Sequence, residues 1–128
     1  MKASATVSLI GVVDDDEAVR DALSSLLRSA GYKCSVFPSA ETFLASGSLD
    51  QTDCMVLDVR MPGMSGPELQ SRIRENHCAV PVIFVTGHAD EELRSRAIRD
   101  GAIAFLNKPF SDDDLLDAIH SVLDPRVN

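Results

Sequence analysis

Five short apolar runs punctuate the chain, each followed by a stretch in which apolar positions recur three and four residues apart. Val7 to Val13 (VSLIGVV) is the first run, rich in β-branched residues. From Glu17 to Ala30, Val19, Ala22, Leu23, Leu26, Leu27 and Ala30 fall at helical spacing, and Gly31 closes the segment as a C-terminal stop. Lys33 to Phe37 alternates, and Ser39 can cap a short helix carrying Ala40, Phe43 and Leu44. Cys54 to Leu57 is a further buried-type run; Asp58 to Gly66 (DVRMPGMSG) reads as a loop by its proline and glycines. Pro67 suits the first turn of a helix with Leu69 and Ile73 inward. Pro81 to Val85 (PVIFV) precedes a helix over Asp90 to Asp100 with a thin stripe of Leu93, Ala97 and Ile98, ended by Gly101. Ile103 to Leu106 is the last run. Ser111 to Asp114 then starts a helix carrying Leu115, Leu116, Ile119, Val122 and Leu123, and Pro125 ends it.

The order is (βα) five times over. Strands apolar on both faces, each followed by a helix, imply an α/β fold in three layers, a parallel sheet covered on both sides. No internal repeat or linker composition divides the chain, so residues 1–128 read as one domain with a core from about 7 to 123. In such sheets ligands sit outside the carboxyl ends of the strands, near the point where strand order reverses. That rule selects the positions to read for chemistry.

Composition narrows the field. With 128 residues, 45% hydrophobic and 25% charged, the chain has the balance of a soluble globular domain large enough for a core of its own. Its 12 basic against 20 acidic residues give a formal net charge of −8. A surplus of acid argues against direct binding to a nucleic-acid backbone or an anionic membrane surface. No apolar run approaches a membrane span, and the first residues lack the pattern of a signal peptide. Cys34, Cys54 and Cys78 show no paired spacing, so they read as reduced thiols of a cytoplasmic protein.

The predicted strand ends carry a short list of groups. The first ends at Asp14-Asp15-Asp16-Glu17, the third at Asp58, the fourth at Thr86-Gly87, and the fifth leads into Lys108-Pro109. Carboxylates brought close repel one another unless a cation neutralises them. Hard oxygen ligands suit Mg²⁺, which keeps part of its water shell and readily shares a phosphoryl oxygen. A divalent cation, a carboxylate, a hydroxyl and an ammonium are together the equipment for phosphoryl transfer. Singly, each has an ordinary reading: a solvated helix start, a turn residue, a strand-end threonine, a surface lysine. Together, at several strand ends of one sheet, they point to chemistry.

VVDDDEAVR, LDVRMPGMSG, FVTGHAD and GAIAFLNKPF resemble the receiver domain of two-component response regulators, over about Val7 to Leu123. MPGMSG, TGH and NKPF are most similar to the FixJ type. The resemblance implies a flavodoxin-like sheet of order 2-1-3-4-5. It implies Asp58 as the acceptor of a phosphoryl group from the phosphohistidine of a sensor histidine kinase. Asp14 and Asp15 become the acidic pair for Mg²⁺ (Mn²⁺ or another divalent cation could substitute), Asp15 directly and Asp14 mainly through water. Asp58 and the backbone carbonyl of Arg60 complete the protein's ligands. Lys108 becomes the partner of a phosphoryl oxygen, before a cis bond to Pro109. Thr86 becomes the switch hydroxyl and Phe105 the switch ring, while Arg60 and His88 would tune the lifetime of the phosphorylated state.

Such a protein catalyses only its own phosphorylation and slow dephosphorylation, and is not otherwise an enzyme. The surface of the fourth helix and fifth strand is expected to change on phosphorylation and to control an output. That output is expected to be transcription, through a C-terminal helix-turn-helix DNA-binding domain outside this sequence; a stand-alone receiver is the other reading. A homodimer through the same surface is expected, with Arg94, Arg96 and Arg99 either solvated or in its ion pairs. His77 and His120 read as surface residues. Two further alternatives are a phosphohydrolase of the haloacid dehalogenase type, with Asp14 as nucleophile and Asp16 as acid, and a metal-free interaction module.

Overall fold

The computed structural model describes residues 7–76, 79–87 and 91–123. Strands and helices alternate: β1 (Leu9–Val13), α1 (Glu17–Ser29), β2 (Lys33–Phe37), α2 (Ala40–Ser46), β3 (Cys54–Asp58), α3 (Gly66–Glu75), β4 (Val82–Thr86), α4 (Glu91–Arg99), β5 (Ala104–Asn107) and α5 (Asp112–Leu123). The five strands form one parallel sheet of order β2-β1-β3-β4-β5. The chain reverses direction across the sheet between β1 and β3, and a ligand crevice belongs at that point.

Alternation along each strand sorts the core into two layers. Met55 and Leu57 of β3 face a layer with Phe43 of α2, Leu69 and Ile73 of α3, and Ala97 of α4. Cys54 and Val56 face the opposite layer, with Leu23 and Leu27 of α1 and Leu115 and Ile119 of α5. All five residues of β3 and of β4 are buried, which is why their sequences read as continuous apolar runs. The edge strands β2 and β5 are only partly covered, and β2 accordingly alternates.

Several boundaries differ from the sequence expectation for local reasons. Val7 is exposed and lies before the ladder, which opens at Leu9 opposite Lys33. The β4 ladder is one residue later than the apolar run, so Thr86 is its last residue, paired with Asn107. A 3₁₀ turn over Leu49–Gln51, which the sequence did not suggest, joins α2 to β3. The pivotal turn is the one after β3. There Ser65 caps α3 in a reciprocal capping box with Glu68, and Pro67 occupies the first turn. Gly66 donates its N–H to Val59 O at 3.0 Å. A Cβ at Gly66 would be driven into the backbone carbonyl of Asp58, so only glycine lets the helix begin this close to the strand end.

Candidate functional site

Three carboxylates meet at the carboxyl edge of β1 and β3. Asp14 is buried, with its N–H bonded to Phe37 O at 3.1 Å. One of its carboxylate oxygens accepts from the N–H of Asp16 at 2.9 Å. Asp15, next in the chain, is exposed, and Asp58 is 6% exposed. Each of Asp14, Asp15 and Asp58 offers an oxygen, and these oxygens lie within 4.8 Å of one another.

Lys108 reaches into this group from the loop after β5. Its Nζ donates to Asp14 Oδ2 at 3.0 Å and lies 3.7 Å from Asp58 Oδ1. Its backbone N–H donates to Thr86 O at 2.7 Å, and the bond to Pro109 is cis. Thr86 is buried at the end of β4. One layer below, Phe105 of β5 sits opposite Phe84, with ring centroids 6.1 Å apart and planes tilted by 47°. The Phe105 ring is half-buried.

The electrostatics of Asp58 follow from this crowding. Its carboxyl is pushed up to about 6, first by burial and then by the charge of Asp14; the Lys108 ammonium opposes both, and contact with Asp15 favours the proton-bearing form. A buried carboxyl that resists ionisation beside two others is the environment a divalent cation relieves. The donors are hard oxygens, and the group opens to solvent at Asp15, so the residues fit a Mg²⁺-like ion that retains water.

Other expected residues fall differently. Arg60 is exposed beside an open cleft of about 470 Å³ between α3 and α4, which Leu93 and Arg96 also line. His88, like His77, Cys78 and Asp90, lies outside the described residues. Arg94, Arg96 and Arg99 are exposed on α4. His120 is not simply a surface residue: it is half-buried, its ring 5.8 Å from that of Tyr32, because α5 packs that face towards the start of β2. Asp16 caps α1, accepting from the N–H groups of Ala18 at 2.8 Å and Val19 at 3.3 Å. That use of its carboxylate, with Lys108 held on Asp14, removes the basis for a nucleophile–acid pair of Asp14 and Asp16. Burial holds the Cys34 thiol above its usual range and pushes that of Cys54 up to about 12, so both are inert.

Two residues that the sequence reading passed over touch the loops carrying the carboxylates. Arg20 Nη1 donates to the carbonyl of Asp14 at 2.8 Å, and Glu41 Oε2 accepts from the N–H of Met64 at 2.9 Å. Arg20 lies one turn into α1, where its helical position was the only available signal. Glu41 is 23 residues from its partner, and no local pattern signals such a contact.

A three-layer α/β fold of sheet order 2-1-3-4-5, with three carboxylates and a lysine at its carboxyl edge, is the arrangement that the resemblance to receiver domains implies. Residues 10–120 match the family described as response regulator receiver domain, and the chain belongs to that family. It is 43% identical over 116 residues to Nodulation protein W of Bradyrhizobium diazoefficiens, covering 91% of this chain and 51% of that protein. It is 47% identical to Response regulator protein TmoT of Ectopseudomonas mendocina, covering 91% and 53%. It is 43% identical to Transcriptional regulatory protein FixJ of Bradyrhizobium diazoefficiens, covering 89% and 56%. The chain thus spans about half the length of the curated relatives it matches. Among solved structures, response regulator StyR superposes with a TM-score of 0.86 at 45% identity, covering 95% of this chain and 62% of that one. The crystal structure of FixJ-N superposes with a TM-score of 0.82 at 34% identity, covering 91% of this chain and 94% of that one.

Proposed function

We propose that this receiver accepts a phosphoryl group on Asp58 from the phosphohistidine of a sensor kinase, in a reaction that requires Mg²⁺ or a similar divalent cation. The observation that carries this reading is the convergence of Asp14, Asp15 and Asp58 with Lys108 on one edge of the sheet. A carboxylate oxygen of Asp58 attacks phosphorus as the P–N bond to the kinase imidazole breaks; the bonding pair leaves with the imidazole, which takes a proton. Asp14, Asp15, Asp58 and the Arg60 carbonyl would hold the cation, which offsets charge on the phosphoryl oxygens. Lys108, already 3.7 Å from Asp58, supplies a second positive charge where a phosphoryl oxygen would arrive.

Thr86 then turns its hydroxyl towards the phosphoryl group, Phe105 repacks, and the α4–β5 surface changes for a partner to read. Phe105 has no hydroxyl, so its contribution is packing alone. Arg60 and His88 tune how long the acyl phosphate lasts. Residues 1–128 act as one receiver unit; the name of one relative, Transcriptional regulatory protein FixJ, supports transcription as the output, and a C-terminal DNA-binding domain beyond this sequence would carry it. Phosphorylation-promoted pairing through α4 and β5 fits the exposed Ile98 on α4. We place the protein in the cytoplasm, where the thiols of Cys34 and Cys54 stay reduced; no helix among the described residues is long and apolar enough to cross a membrane.

Intact-mass measurement after incubation with a small acyl phosphodonor tests the reading. One phosphoryl group is expected on the wild-type chain with Mg²⁺, and none with EDTA or in Asp58→Asn. Equal labelling of Asp58→Asn removes the assignment of Asp58.

A further inference from the structure

The loop between Asp58 and α3 carries the acceptor carboxylate at its start and the Arg60 carbonyl two residues on, so its shape sets the geometry of the proposed metal site. Its far end is fixed by the Ser65–Glu68 capping box and by the Gly66 N–H bonded to Val59 O. Its middle, Met61 to Met64, is held differently. There the Met64 N–H donates to a group from outside the loop, Glu41 Oε2, at 2.9 Å. Gly63 turns with φ +78°, and a Cβ there would stand 2.6 Å from the same Glu41 oxygen. The absent side chain therefore leaves the room that the carboxylate occupies. Glu41 is itself placed by the first turn of α2, which Ser39 caps through the Thr42 N–H and which Phe43 anchors in the core.

We infer that Glu41, on α2 and outside the acidic cluster, is a positioning residue: it clasps the Gly63–Met64 turn and thereby sets the Arg60 carbonyl and Asp58 for the cation and the phosphoryl group. The inference rests on the metal-dependent reading above, and a part of its test does not. Glu41 is exposed, so its loss leaves the core intact; the hydrogen bond to a charged acceptor is the interaction removed. A negative charge near a cation site could also act through space, and the two roles separate by substitution. Glu41→Gln keeps an acceptor oxygen of the same reach and drops the charge. Glu41→Ala removes both.

The experiment uses the full chain and two readouts: amide hydrogen exchange at Met64 without metal, and the dissociation constant for Mg²⁺ alone. In Glu41→Ala, Met64 exchange is expected to accelerate by at least about tenfold and Mg²⁺ to bind about three- to tenfold more weakly. Glu41→Gln is expected to restore most of both, with the melting temperatures of the two variants within about 2 °C of wild type. Unchanged Met64 exchange in Glu41→Ala overturns the clasp. Unchanged Mg²⁺ affinity with faster exchange overturns the link from clasp to site, and a Glu41→Gln variant as impaired as Glu41→Ala reduces the residue to a through-space charge. Asp15→Ala, measured alongside, separates these failures from failure of the metal reading: if Asp15→Ala binds Mg²⁺ like wild type, the ligand set is wrong, whereas the clasp is still judged on Met64 exchange.

Discussion

Asp58 holds its proton more tightly in the folded protein than in the unfolded chain, with its carboxyl pushed up from 3.8 to about 6. Between those values the native state binds more protons, so the metal-free protein loses stability as pH rises through that window and the loss is complete above it. The melting temperature of Asp58→Asn, compared with wild type without metal, is therefore expected to gain from about pH 4 to about pH 6 and then level off. A saturating divalent cation, which binds the ionised carboxylate, should erase most of that gain. If Asp58 is a ligand as proposed, the same competition should make Mg²⁺ binding weaken below about pH 6, approaching about tenfold per pH unit. A Mg²⁺ affinity that is flat from pH 7 to pH 5 contradicts the assignment of Asp58 as a ligand. Lys108 opposes the upward push, so Lys108→Ala should raise the Asp58 titration further, as read from its side-chain carbon shift against pH.

At the scale of elements, the turn from β3 into α3 is the part least able to change. Gly66→Ala drives a methyl group into the Asp58 carbonyl and to within 3.0 Å of the Phe84 ring. A loss of about 1–3 kcal/mol in urea unfolding is expected, accompanied by a lower phosphorylation yield. Ser65→Ala, which removes the capping hydroxyl but leaves the Gly66 N–H on Val59 O to hold that end of the loop, should lose about 1 kcal/mol and lower the yield less than Gly66→Ala does. Equal effects of the two on yield would show that the close approach at Gly66 does not govern the site. Such features were unevenly legible in the sequence. The apolar runs of β3 and β4 were plain because both faces are buried, and the groups at the strand ends followed from the fold rule alone. Pro67 marked the start of α3. By contrast the 3₁₀ turn at Leu49–Gln51 has no buried residue to create a pattern, and Asp16 as a cap looked the same in sequence as Asp16 as an acid. Glu41 was invisible for another reason: its partner is a backbone N–H, which leaves no residue type to recognise.

For the whole molecule, the distribution of charge sets what kind of surface can pair. Acidic residues gather at the site and in the first turns of α4 and α5, at Glu91, Glu92 and Asp112 to Asp114, where they favour the helix dipoles. The arginines of α4 run along an otherwise acidic chain, so this helix alternates in sign where the rest of the molecule repels a copy of itself. Only Ala97 of α4 is buried, and Ile98 stands 42% exposed among the arginines. A pairing through α4 and β5 would bury Ile98 and match arginine to acid across the interface. The phosphorylated chain is expected to sediment as a dimer and Ile98→Glu as a monomer, with equal phosphoryl content by mass. Salt distinguishes the two readings of the arginines. If ion pairs hold the interface, raising ionic strength from about 0.05 to about 0.5 M weakens the dimer; if the arginines are only solvated, screening of the net charge of −8 on each protomer strengthens it. Weakening is the expected result, because on an acidic protein the arginines of α4 are the groups best placed to offset repulsion at that face. A dimer that persists in Ile98→Glu and tightens with salt would place the contact on another face of the sheet.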